Sequence, residues 1–284
     1  MAQASVARPR MRKRQRPNVV GGLLGFFWLV LIIGPIYYVV ITSLKDQADY
    51  YSSNALGIPT NPTLRAYRIV LQNDFLHYFI NSLIVAVVTV AVVVAISLMA
   101  SYVIVRRSSR IVHLSQRVFL LGIAIPIQAT IVPVYYLIVQ LHLYDTLPAL
   151  ILPGIAFAIP ITVLILVNYL RDIPNELYDS MHADGASDWR TFISLVLPLS
   201  KPAITTVAIY DALNCWNGFL FPLILTQSED KRTLPLSLWS YQGEFNSDIP
   251  AVLAAIVLSC LPILAAYIIG RRQLVAGLTA GFGK

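Results

Sequence analysis

Four polar or aromatic residues grouped in one long apolar stretch are the best candidates in this chain for touching a ligand. Asp211, Asn214 and Asn217 recur at i, i+3 and i+6, with Trp216 beside them. A carboxylate, two amides and an indole can meet hydroxyl groups and apolar ring faces, and polar side chains inside a membrane span often line a path. The same groups could instead bond between helices and fix their packing. No other cluster offers chemistry. His77, His113, His142 and His182 are scattered among different loops without a partner at metal-binding spacing, and neither a phosphate-binding lysine loop nor a nucleophile elbow occurs. Cys215 and Cys260 each sit in an apolar stretch, which excludes a disulfide framework and reads as packing. Catalysis is not expected of this chain, and it is expected to hold no metal or cofactor.

The elements that must position these residues are membrane helices. Hydrophobic residues make up 57% of the 284 and charged residues only 12%, against about a quarter charged in soluble domains. A spanning helix needs about 20 mostly apolar residues. Six stretches meet that length, at about 19–43, 79–105, 118–140, 147–170, 198–226 and 249–270. Backbone amides in lipid must be satisfied within the segment, so the expected fold is all-α and polytopic, with six transmembrane helices. Long unbroken apolar runs are unlike the alternating strands of a membrane barrel. The first stretch exceeds a typical signal-peptide core and is expected to stay as a helix.

Basic residues are retained on the cytoplasmic face. Sixteen of the 21 lysines and arginines lie before the first span, after the second, around 171–201 or after the sixth, against five in the other loops. Both termini are therefore expected in the cytoplasm. The division that follows is a basic arm over 1–18, a membrane domain over 19–270 and a tail over 271–284. The arm's arginines lie close to a span and lack interleaved aromatics, so nucleic acid is not an expected partner.

Residues 173–202 break the apolar pattern with two short amphipathic segments around a turn. Pro174 suits a first helical turn, and Ile173, Leu177, Ser180 and Met181 share one helix face. Gly185 is the residue free to turn through positive φ, and Ser187 can cap the second helix. Trp189, Phe192, Ile193 and Val196 then repeat at helical spacing. On patterning alone this is an amphipathic hairpin that could rest on the membrane surface.

The segment resembles the cytoplasmic "EAA" loop of ABC importer permeases. That loop runs Pro-x-Glu-Leu-x-Glu-Ala-Ala-x-x-Asp-Gly-Ala, followed by Leu-Pro-Leu-x-x-Pro. This chain matches at Pro174, Glu176, Leu177, Asp184, Gly185, Ala186, Leu197, Pro198, Leu199 and Pro202, and departs at Asp179-Ser180-Met181, which replaces Glu-Ala-Ala. The segments 79–83, 125–133, 143–146, 214–222 and 231–235, and the tail 271–281, resemble the carbohydrate-uptake, maltose-type branch in the same order.

The resemblance implies a permease subunit forming half of a pore for a sugar, a di- or oligosaccharide. It implies a second homologous permease subunit, two ATPase subunits that bind ATP and Mg, and an extracytoplasmic sugar-binding protein. ATPase coupling would fall to a loop at about 171–200, through Glu176, Leu177, Asp179, Met181, Asp184, Gly185, Ala186 and Trp189. The loop 227–248, with Trp239, Tyr241 and Phe245, would meet the binding protein. An ion-coupled secondary transporter is the alternative, and it would need intramembrane ionisable groups and often shows internal repeats. Asp211 is the lone acid within the six stretches, and the two halves show no obvious repeat.

Overall fold

The computed structural model describes residues 19–238 and 248–280, and every regular element among them is helical. Helix α1 (Val19–Ser43) leads through a small lobe holding α2 (Gln47–Ser52) and α3 (Arg65–Gln72) into α4 (Phe75–Arg106). At 32 residues α4 is about 48 Å long, so its ends project beyond both sides of a hydrocarbon core of about 30 Å. Then come α5 (Arg110–Ile123), a 3-10 turn (Ile127–Thr130), α6 (Ile131–Gln140) and α7 (Leu147–Arg171). A hairpin of α8 (Asn175–Ala183) and α9 (Asp188–Thr191) follows, continuing through a π turn (Phe192–Val196) into α10 (Leu197–Leu199). The remainder is α11 (Lys201–Trp216), α12 (Leu220–Leu225), a 3-10 turn (Glu229–Lys231), α13 (Leu234–Ser237) and α14 (Ile249–Ala280).

Helices α4 and α7 form the spine. Val85, Thr89, Val93, Ser97 and Ser101, every fourth residue of α4, are buried. Small side chains let membrane helices approach closely. A Cβ added to Gly154 of α7 would come within 3.3 Å of the Thr89 methyl, and Ser101 Oγ donates to the Val163 carbonyl at 3.3 Å. Helix α11 packs on both spine helices and α14 packs on α11 and α1. One buried cluster, with Tyr102, Leu166, Phe192 and Val196, lies at the end carrying the hairpin, called here the knob end. Another, with Val70, Phe75, Trp216 and Leu234, closes the far end. Residues 19–37 of α1 are all exposed and almost all apolar, as suits a helix surrounded by lipid.

Three of the six expected spans are single unbroken helices, and two of the others are bent. By length and composition α1, α4 and α7 can each cross a membrane unbroken, and the count reaches five if each of two bent pairs is one span. The third stretch bends by 98° between Arg110–Ile123 and Ile127–Gln140. Pro126 has no amide hydrogen to give and drives the residue before it away from helical geometry. The fifth bends by 73° at Ser200 and breaks again after Trp216, where the Gly218 amide turns back to the Cys215 carbonyl at 3.1 Å. In α14 an uncharged, mostly apolar run extends from Ile249 to Gly270, before Arg271.

Candidate functional site

The hairpin forms the turn that its residue types require. Gly185 has φ +73°, its amide donates to the His182 carbonyl at 2.9 Å, and the Ala186 amide donates to the Met181 carbonyl at 2.9 Å. Ser187 Oγ accepts from the Arg190 amide at 3.3 Å and so caps the second helix. Glu176, Leu177, Asp179, Asp184, Gly185 and Trp189 are exposed, Met181 is half-buried and Ala186 is buried. The apolar faces suggested by the spacing are redrawn in two respects. Helix α8 starts at Asn175, leaving Ile173 outside it, and Tyr178 is the side chain that goes in, 1% exposed. In the second segment Phe192 and Val196 are buried while Trp189 and Ile193 are exposed, because a π turn carries one residue more per hydrogen-bonded ring than an α-helix.

What fixes the knob to the membrane domain is the last turn of α4. The Arg106 guanidinium lies 4.1 Å above the centre of the Tyr178 ring, and its Nη1 donates to Asn175 Oδ1 at 3.0 Å. Arg107 Nη2 pairs with Asp188 Oδ2 at 2.5 Å, and Tyr102 Oη donates to the Asp188 carbonyl at 3.4 Å. Helix α4 therefore grips both helices of the hairpin. Burial pushes the Tyr178 phenol up, and Arg106 partly opposes it. Sequence reasoning read Arg106 and Arg107 only as topology charges, and it missed Tyr178 and Asn175. A run of arginine where a span ends beside an amphipathic hairpin was the available signal.

The polar group in the fifth stretch divides. A cavity of about 280 Å³ opens between α4, α7, α11 and α12, lined among others by Thr89, Phe157, Tyr210, Asp211, Asn214 and Phe221. Asp211 is 3% exposed, and Thr162 Oγ1 donates to its Oδ2 at 2.9 Å. Asn214 Nδ2 donates to the Tyr210 carbonyl at 2.8 Å. Trp216 and Asn217 do not line the cavity. Trp216 is buried against Phe79, ring centres 5.5 Å apart, with Nε1 donating to the Ser259 carbonyl at 3.2 Å. Asn217 is exposed and donates to the Leu213 carbonyl at 2.8 Å. At about 100° per residue, these two lie roughly 120–140° around the helix from Asp211. Substituting Asp211→Asn keeps an acceptor for Thr162, so uptake is expected to stay within about fivefold of wild type, the factor that about 1 kcal/mol represents. Complete loss of uptake by a correctly assembled Asp211→Asn protein would assign the acid a titrating role.

At the far end, Asp145 adopts φ +60° and its carboxylate ties down the chain leaving α12. It accepts the Gln227 amide at 2.8 Å, the Ser228 amide at 3.0 Å and the Ser228 hydroxyl. Burial pushes the Asp145 carboxyl up, but these bonds and Lys231 outweigh it and hold it below the usual carboxylate range. The tie is complete above that range and is lost as pH falls through the lowered value. Asn81 Nδ2 donates to the carbonyls of Asp230 at 2.8 Å and Arg232 at 3.0 Å, anchoring the same loop to α4. Trp239, Tyr241 and Phe245 lie outside the described residues.

The family described as "Binding-protein-dependent transport system inner membrane component" matches residues 93–274, well over half of the chain. The chain belongs to that family. A putative ABC transporter permease of Caldicellulosiruptor sp. (strain Rt8B.4) is 39% identical to this permease over 257 residues, covering 90% of the permease and 94% of the relative. The diacetylchitobiose uptake system permease NgcG of Streptomyces coelicolor is 30% identical over 279 residues, covering 97% and 92%. A bacterial ABC transporter that imports the acidic polysaccharide alginate contains a chain of the same fold, with TM-score 0.82 at 21% identity over 93% of the permease and 99% of that chain. The permease is thus a multi-pass inner-membrane transport protein and not itself an enzyme.

Proposed function

We propose that the chain forms half of the pore of an ATP-driven importer for a di- or oligosaccharide, and that its knob docks on a separate ATPase subunit that binds ATP and magnesium. The observation that carries this reading is the knob, whose Glu176, Asp179, Asp184 and Trp189 are exposed around a fixed glycine turn while Tyr178 holds it to α4. Such a piece can take force from a partner and pass it to a membrane helix. A second permease chain would complete the pore, two ATPase subunits would bind at the knob end, and a sugar-binding protein would dock at the far end. Relatives named for diacetylchitobiose uptake and for multiple sugar-binding transport support carbohydrate as the substrate class. Aromatic faces at Phe157, Tyr210 and Phe221 beside Asp211 and Asn214 suit a hydroxyl-bearing ring.

The test is ATP hydrolysis by the purified complex with its binding protein, screened over sugars. Stimulation by one class of oligosaccharide is expected, and a complex indifferent to every sugar would overturn the substrate. The basic-residue count supports a cytoplasmic position for the knob, the arm 1–18 and the tail 271–284. In a chain with Cys215 and Cys260 replaced by alanine, His182→Cys is expected to resist an impermeant thiol reagent in intact cells and Glu229→Cys to react. The reverse pattern would refute the orientation and the docking partner together.

A further inference from the structure

The chain between α1 and α3 folds into a closed lobe. Its two ends meet where the Thr63 amide donates to the Leu44 carbonyl at 2.8 Å. At its centre Lys45, 1% exposed, donates to the Asn54 carbonyl at 2.7 Å and to Ser53 Oγ at 3.2 Å, which fixes the path to the tip. The tip doubles back on α1, where Tyr37 Oη donates to the Leu56 carbonyl at 3.1 Å. Six residues separate Tyr37 from the helix end at Ser43, a rise of about 9 Å. Helical side chains lean toward the N-terminus, so the phenol reaches deeper than its own Cα.

Depth relative to a bilayer follows. The apolar run of α1, Val19–Ser43, has 25 residues, about 37 Å as a helix, against a hydrocarbon core of about 30 Å. Centred in that core, its far end stands only about 4 Å outside the boundary, so the tip hangs level with the boundary or beneath it. The tip carries what such a position needs. Leu56 is 63% exposed and Ile58 77% exposed, and residues 50–64 contain no charge. Four tyrosines gather above them: Tyr37, Tyr38 with its hydroxyl 3.4 Å from that of Tyr50, and Tyr51 edge-on to Tyr50 at 5.1 Å. Tyrosine is enriched at the headgroup level of membranes. The tip meets α1 through the Tyr37–Leu56 bond, and residues 19–37 of that helix are exposed like the tip.

We propose that this lobe is a lipid anchor, with Leu56 and Ile58 inserted at the acyl-headgroup boundary and the four tyrosines ranged along it. Insertion would set the height and tilt of α1.

The test uses the full chain in its purified complex, in nanodiscs of phosphatidylethanolamine and phosphatidylglycerol, with Cys215→Ala and Cys260→Ala. A spin label at Ile58→Cys is expected to collide several-fold more often with dissolved oxygen than with a water-soluble nickel chelate, and Leu56→Cys should match it. At Glu229→Cys the order should reverse. Equal access of the chelate at positions 58 and 229 would place the tip in water and overturn the anchor. Exclusion of both reagents at 58 would also overturn it, in favour of a protein partner.

Discussion

Gly185→Val is expected to insert and accumulate like the wild-type chain and yet to transport almost nothing. Gly185 sits at φ +73°, and no heavy atom lies within 4 Å of where a Cβ would stand. The penalty is therefore one of backbone conformation, about 1–3 kcal/mol for a residue that avoids the left-handed region. The cheapest relief is to abandon that conformation, which breaks the bonds from Gly185 to His182 and from Ala186 to Met181 and splays α8 from α9. Asparagine tolerates the left-handed region, so Gly185→Asn is expected to keep most activity, which separates conformation from bulk. Uptake and co-purification of the ATPase subunit are the readouts. Wild-type uptake by a well-expressed Gly185→Val chain would remove the turn from the coupling route.

Arg106→Lys is expected to leave ATP hydrolysis running while transport falls by about tenfold. Lysine keeps the charge but loses the planar fork that stacks on Tyr178 and reaches Asn175. A stacked cation contributes about 0.5–2 kcal/mol and a charged hydrogen bond about 1.5–3 kcal/mol, and each 1.4 kcal/mol is a factor of ten. The Tyr178 hydroxyl has no hydrogen-bond partner among the described residues, so Tyr178→Phe should behave as wild type. Tyr178→Leu, lacking the ring, should repeat the Arg106→Lys defect, and the two together should cost little more than either. Sugar moved per ATP hydrolysed measures this. An unchanged ratio in Arg106→Lys would show that force reaches the membrane by another path.

The membrane class and the knob turn were legible in the sequence because both rest on local properties, apolar run length and the conformational freedom of Gly185. The broken spans were not. Pro35, Pro153 and Pro160 sit inside continuous helices, whereas the chain breaks around Pro126, so proline in an apolar run does not say which span fails. The cavity was half legible, since Asp211 and Asn214 share a helix face and Trp216 and Asn217, though adjacent in sequence, turn away. The Arg106 tether was hidden for a different reason. Its partners lie 69 or more residues along the chain, and no local pattern records such a meeting.

The π turn at Phe192–Val196 has a consequence for insertions and deletions. An additional residue in one turn shifts the angular phase of everything after it by about 100° relative to an ordinary helix. Deleting Ser194 would convert the turn to α-helix and force either Trp189 and the docking face, or Val196 and the approach to α11, to rotate by that amount. Val196 is fully buried, so the hairpin would be the part that swings. A one-codon change in length here would thus re-aim the hairpin without altering any residue of α8 or α9.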